Sequence, residues 1–182
     1  AAQKMMNNPE KFLENLKAFY SQGDNLDTML GIINGDSPIS LRIVDWFATN
    51  YAKQRFTVIT TPVGKRFNVY ADYKLKLRAY SKRRFDPFCR WDRTSYPYKN
   101  GTSIQTTIGQ LNFFKWALEN GVIDHIRANK DSIEADMNKR NSTSRRRGLG
   151  QGGRTRKRRE ELSVSATKSI KREQVDVIIR FD

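Results

Sequence analysis

The chain has 182 residues, enough to bury one substantial core but short for two full domains. Hydrophobic residues make up 37% and aromatics 11%, lean for a globular protein yet too aromatic for a wholly disordered one, so a folded body carrying core-poor segments is expected. Thirty-four Lys and Arg against nineteen Asp and Glu leave a formal net charge of +15, a balance that suits phosphate polymers, anionic lipid surfaces or acidic protein partners.

A helix is predicted first: Asn8 can cap it, Pro9 fits the opening helical position, and Phe12, Leu13, Leu16, Phe19 and Tyr20 share one face before Gly23 ends it. Leu26, Met29, Leu30 and Ile33 add a short further helix up to the Asn34-Gly35-Asp36-Ser37-Pro38 break. From about Ser40 to Gln54 the spacing of Leu41, Val44, Phe47 and Tyr51 predicts another, with Ile43 and Trp46 widening its apolar face. The period then changes. Phe56, Val58 and Thr60 alternate, Pro62 and Gly64 punctuate, and Phe67, Val69, Ala71 and Tyr73 alternate again, so a hairpin is expected, followed by helix from about Lys74.

Phe85-Asp86-Pro87-Phe88 reads as a turn, because the residue before a proline is pushed out of the helical region, and a polar loop through Tyr98-Lys99-Asn100-Gly101 follows. Thr107 and Gln110 have capping-box spacing, and Ile108, Leu111, Phe114 and Leu118 form a stripe that stops at Asn120-Gly121. One more helix is predicted from Val122 to about Lys139, with Ile126, Ile133 and Met137 inside. Between Lys139 and Arg159 stand ten basic residues, four glycines and no acid, a composition that cannot build a core. Leu162, Val164 and Ala166 alternate, as do Val175, Val177, Ile179 and Phe181, giving two strands joined by Thr167 to Gln174 that need a sheet edge on this body or a neighbour.

The expected fold is therefore α+β: a helical body over residues 1–138 with a small, mostly antiparallel sheet, an extended basic arm over 139–160, and a terminal strand pair over 161–182. No apolar run reaches the roughly 18–20 residues of a membrane span, and Ala1 to Asn8 lacks the regions of a signal peptide, so a soluble protein made in the cytosol is expected.

Chemistry-bearing residues are few. The arm places Arg145, Arg146, Arg147, Arg154, Arg156, Lys157, Arg158 and Arg159 beside glycines, a pattern that grips phosphate or an acidic surface by forked guanidinium bonds and counterion release. A solvated linker or an import tag would read alike. A second cluster, with Lys74, Lys76, Arg78, Lys82, Arg83, Arg84 and Arg90 among Tyr73, Tyr80, Phe85, Phe88 and Trp91, could grip single-stranded nucleic acid by charge and stacking. The plainer alternative is that the rings are core and the charges a solvated face.

One Cys and one His exclude an internal disulfide, a Cys/His zinc cluster built by this chain alone, and a redox pair. Cys89 reads as a buried thiol rather than a nucleophile, and His125 has no Cys or second His nearby in sequence with which to share a metal. Asp86 and Asp92 stand six residues apart without a third carboxylate in a nuclease pattern, so magnesium-dependent phosphoryl chemistry is the least favoured reading. The helices flanking Gly121 have the outline of a helix-turn-helix, though an ordinary helical hairpin explains them as well.

In Tyr73 to Arg90 (YKLKLRAYSKRRFDPFCR), Thr106 to Ile126 (TTIGQLNFFKWALENGVIDHI), Val177 to Asp182 (VIIRFD) and the helix around Asp45-Trp46-Phe47, the chain resembles a small family encoded by large icosahedral DNA viruses of algae and amoebae. The resemblance brings no catalytic residues. It implies a viral origin and a virion component. The first expectation is thus a non-enzymatic minor capsid protein in the virion, without cofactor or small-molecule substrate. It would cement major and other minor capsid proteins through its body and arm, the arginines meeting capsomer, DNA or inner-membrane headgroups. The alternative is a basic nucleic-acid-binding protein that packages or regulates viral DNA.

Overall fold

The computed structural model describes residues 9–148 and 172–174. Helix α1 (Pro9–Tyr20) opens on its proline, whose missing N–H costs nothing in the first turn, and buries Phe12, Leu16 and Tyr20. Leu13 stays at the surface and Phe19 is half-buried, so the inward stripe is narrower than the sequence implies. Helix α2 (Asn25–Asn34) buries Met29, Leu30, Ile32 and Ile33 and stops at Gly35, whose φ of +83° is the left-handed cap that glycine adopts without strain.

Helix α3 (Leu41–Trp46) is capped by the Ser40 hydroxyl, which accepts from the Ile43 N–H. It runs through a π turn, Phe47–Tyr51, into the single turn α4 (Ala52–Gln54). Strands β1 (Val58–Thr60) and β2 (Arg66–Asn68) form an antiparallel hairpin with Ile59 opposite Phe67. The strand expected to reach Tyr73 ends early. The Asn68 side chain accepts from the Ala71 N–H and starts α5 (Val69–Phe85), because Val69, Tyr73, Leu77 and Tyr80 are spaced by four, four and three as well as alternating in part.

The span expected to be a polar loop between Phe88 and Thr107 carries a second hairpin, β3 (Arg93–Pro97) with β4 (Thr102–Thr107). Each strand sends mainly one apolar side chain inward, Tyr96 opposite Ile104, so the alternation is faint. Asn100 and Gly101 turn the chain with φ of +60° and +70°, the left-handed pair for which an Asn-Gly dipeptide is suited. Strand β5 (Arg172–Gln174) adds antiparallel to β4, with Gln174 opposite Thr102 and Arg172 opposite Ile104. The sequence predicts a connection, Thr167 to Gln174, at these residues; the flanking strands expected at Leu162–Ala166 and Val175–Phe181 lie outside the described residues.

Helix α6 (Ile108–Glu119) is the centre of the core. Thr107 caps it, accepting from the Gln110 N–H as capping-box spacing predicts, and the Gln110 side chain accepts from the Thr106 hydroxyl. Phe113, Phe114, Trp116 and Ala117 are buried, and Phe85 joins Tyr73, Tyr80, Phe113 and Trp116 in one aromatic cluster with centroids 5.6–6.1 Å from its ring.

The single helix expected after Gly121 is two. Helix α7 (Val122–Ala128) ends at Asn129, which leaves the helical region and donates its side-chain amide to the His125 carbonyl, and α8 (Lys130–Gly148) restarts beyond it. Helix α8 crosses the boundary drawn at residue 139, so the first ten residues of the expected arm are helical. The fold is α+β, mostly helical with two small antiparallel sheets. Among the described residues, no helix is long and apolar enough to cross a membrane.

Candidate functional site

The second basic cluster lies on the outer turn of α5 and the segment that follows it. Ser81 leaves the helical region with φ +63° and ψ 164°, a backbone state that few residues other than glycine occupy, and it turns Lys82 and Arg83 out of line with the preceding helix. Phe85 then drops into the aromatic cluster and closes the helix, while Pro87 is buried behind it.

Contacts with α6 fix this segment. Asn112 donates its side-chain amide to the Arg84 carbonyl at 2.8 Å, and the Ile108 N–H donates to the Asp92 carbonyl at 3.2 Å. Gly109 is required there, because a Cβ at that position would sit 2.7 Å from the Asp86 carbonyl oxygen and 3.2 Å from that of Arg83. Within the segment, Asp86 accepts from the Phe88 N–H at 2.9 Å, and its carbonyl accepts from the Cys89 N–H. The result is a cavity of about 640 Å3 lined by Lys82, Arg83, Asp86, Phe88, Cys89, Arg90 and Trp91.

Of the interleaved rings, Tyr80 and Phe85 are buried and Tyr73 and Phe88 are half-buried against the core, so for these four the plainer reading holds. Trp91 is different: it is 69% exposed. Arg83 lies 5.8 Å from its ring centroid and is itself held by Asp92 at 3.0 Å, so a guanidinium is parked on the indole.

The charges separate by sign. Lys65, Arg66, Lys74, Arg78, Lys82, Arg83, Arg90 and Arg93 are exposed, with Lys76 and Arg84 half-buried. Each of the three acids of the stretch has a partner: Asp72 accepts from the Trp116 indole at 2.7 Å, Asp86 holds the turn, and Asp92 pairs at the surface with Arg83, leaving seven of the eight exposed cations without an acid of this stretch beside them. Net positive potential is therefore left facing solvent.

Asp86 and Asp92 each already have a partner, and among the described residues no three His, Cys, Asp or Glu side chains could hold a metal ion. Cys89 is half-buried at the cavity wall rather than fully buried. His125 packs 5.5 Å from the Phe47 ring, and burial holds its pKa below the ordinary value. Helix α7 has seven residues and buries Val122, Ile123 and Ile126, while Asp124 and Arg127 pair on its outer side, a poor reading helix for a helix-turn-helix.

Of the arm, Arg145, Arg146 and Arg147 fall within α8. Arg154, Arg156, Lys157, Arg158 and Arg159 lie outside the described residues. Helix α8 is fixed to the body by Ile133 and Met137, by the Trp46 indole donating to Asp136 at 3.1 Å, and by Arg140, which pairs with Asp136 and stacks over Trp46.

Three features escaped the sequence. Asp45 lies close enough to Asp86 and Lys82 to feel both charges; burial, helped by Asp86 and opposed by Lys82, pushes its carboxyl up to about 7. The same burial, with Asp45 and Asp86 adding, pushes the Tyr73 hydroxyl up to about 12. A second cavity of about 610 Å3 lies against Tyr96 and Tyr98, where the Tyr98 hydroxyl donates to Asp27 and the Tyr96 hydroxyl to the Lys17 carbonyl. Only the Asn100-Gly101 dipeptide signalled that hairpin in advance.

Residues 2–181 match a protein family described as a family of unknown function, DUF7197. Over 132 residues the chain is 43% identical to uncharacterized protein L507 of Acanthamoeba polyphaga mimivirus, a stretch that covers 68% of this chain and 51% of that protein. The match thus spans about half the length of the mimivirus protein. No solved structure matches.

Proposed function

Because the chain belongs to the DUF7197 family of unknown function and has a relative in a large DNA virus, which supports a viral origin, we propose that it is a viral nucleic-acid-binding protein that acts by binding rather than by catalysis. One observation carries the reading. Over residues 65–93 eight cations are exposed while all three acids are engaged by inward or local partners, so the surface is positive by arrangement and not only by composition. Residues 139–159 carry ten further cations and no acid. A binding role is supported by the structural contacts of three of the side chains weighed for catalysis: His125 packs on Phe47, Asp86 holds a turn and Asp92 pairs with Arg83.

Phosphate neutralisation releases counterions, so affinity should fall by roughly three to five orders of magnitude between 50 and 200 mM salt if six to ten phosphates are contacted. A titration of the full chain with labelled DNA by fluorescence anisotropy at several salt concentrations tests this. Steep salt dependence supports the reading, and absence of binding at 50 mM salt overturns it.

The minor capsid reading rests on a different feature. Phe56 and Val63, at the two ends of the β1–β2 hairpin region, are 76% and 88% exposed, and a protein partner that seats on the hairpin would cover them. Binding of the protein to emptied virus particles that is lost on Phe56→Ser and Val63→Ser substitution would favour that role. Equal binding by wild type and variant would remove its support.

A further inference from the structure

We infer that the cavity between Lys82 and Trp91 is a subsite for one unpaired nucleotide of a single-stranded nucleic acid. Trp91 would be the stacking surface for the base, and Lys82 and Arg90 would take the adjoining phosphates. The inference rests on the nucleic-acid reading above and deepens it.

Four observations converge. An indole buries a large apolar area when it can, and the neighbouring rings of the same segment do so, yet Trp91 is left 69% exposed at the lip of a cavity. The ring is also prepared for a ligand. Arg83 lies over the ring at 5.8 Å from its centroid and pairs with Asp92, whose carbonyl accepts from the first turn of α6, so a cation–π contact ties the indole to a segment fixed on the core.

Polarity fits one class of occupant. Exposed Lys82 and Arg90 stand at the same cavity, and its one lining carboxylate, Asp86, already accepts from the Phe88 N–H. The exposed cations outnumber that carboxylate, so phosphate is attracted on balance. Size fits as well, since about 640 Å3 lies within the range of small-ligand sites. A single strand is favoured over a duplex because a base inside a double helix hides both faces in the stack, whereas an unpaired base offers one to an aromatic ring.

The test compares the full chain and its variants on a labelled 15-nucleotide single strand and on the matched 15-base-pair duplex, by anisotropy at low salt. Trp91→Ala should weaken single-strand binding roughly tenfold to a hundredfold and change duplex binding less than twofold, with Trp91→Phe retaining most of the affinity. Lys82→Gln with Arg90→Gln should weaken both and flatten the salt dependence. Thermal melts check that each variant is folded, which the exposure of the three side chains favours. If Trp91→Ala changes neither affinity, or both equally, the stacking subsite is wrong while the nucleic-acid reading stands. If the wild-type chain binds neither ligand, that reading itself fails.

Discussion

Gly109 and Asp45 support the same segment in different ways. At Gly109 even a methyl group would overlap the Asp86 backbone, which cannot swing aside as a flexible side chain could. Gly109→Ala is therefore expected to cost about 1–3 kcal/mol, read as a lower denaturation midpoint; an unchanged midpoint would contradict the close approach. Asp45 acts through protonation. Its carboxyl titrates near 7 in the folded chain against an ordinary 3.8, so folding favours the neutral form. The associated stability is fully present below about pH 4 and is lost as pH rises through about 7. Asp45→Asn, neutral at every pH, should remove that loss: wild type should be less stable at about pH 8 than at about pH 5, and the variant much less sensitive. Equal pH slopes for the two proteins would count against the burial of this carboxyl. The local signal for Gly109 was absent from the sequence because the neighbour it must clear, Asp86, is 23 positions away in the chain.

Among the elements, α8 shows how burial separates a useful pair from an ornamental one. Asp136 accepts from the Trp46 indole and pairs with Arg140, and it is largely covered. Asp136→Ala should thus cost about 1–3 kcal/mol, because the half-buried indole N–H loses its acceptor, whereas Asp124→Ala, which breaks an exposed pair with Arg127 at 3.7 Å, should cost less than about 0.5 kcal/mol. Chemical denaturation of the two variants checks the contrast, and similar losses would refute it. Legibility followed the strength of the local pattern. Helices α1, α3 and α6 were readable because a cap or proline preceded a stripe of large apolar residues. The β3–β4 hairpin was not, since Tyr96 and Ile104 are nearly the whole of its inward face and threonine and serine fill the rest. Helix α5 was begun five residues late because Phe67, Val69, Ala71 and Tyr73 satisfy two periods at once, and only the Asn68 cap decides between them. The basic–aromatic stretch was visible in the sequence as composition, but which ring stays outside depends on α6, so Trp91 could not be separated from its four neighbours without the tertiary packing.

For the molecule as a whole, charge is divided between two places. The stretch from residue 139 to 159 carries a net charge of +10 and residues 65–93 a net +7, so the rest of the chain is slightly negative against a total of +15. If both touch a polyanion, replacing Arg145, Arg146, Arg147, Arg154, Arg156, Lys157, Arg158 and Arg159 by Gln should lower the salt slope of DNA binding by an amount set by the phosphates released, about 0.9 per contact, and leave the Trp91-dependent part of single-strand affinity in place. Loss of all binding in that variant would show that the α5 surface does not act alone; an unchanged slope would show that the arm takes no part. The pairing of β5 with β4 turns what would be a hairpin edge into an interior strand: β3 lies on one side of Thr102–Ile104 and Arg172–Gln174 on the other, so a strand from another molecule cannot add to that stretch without first displacing this one.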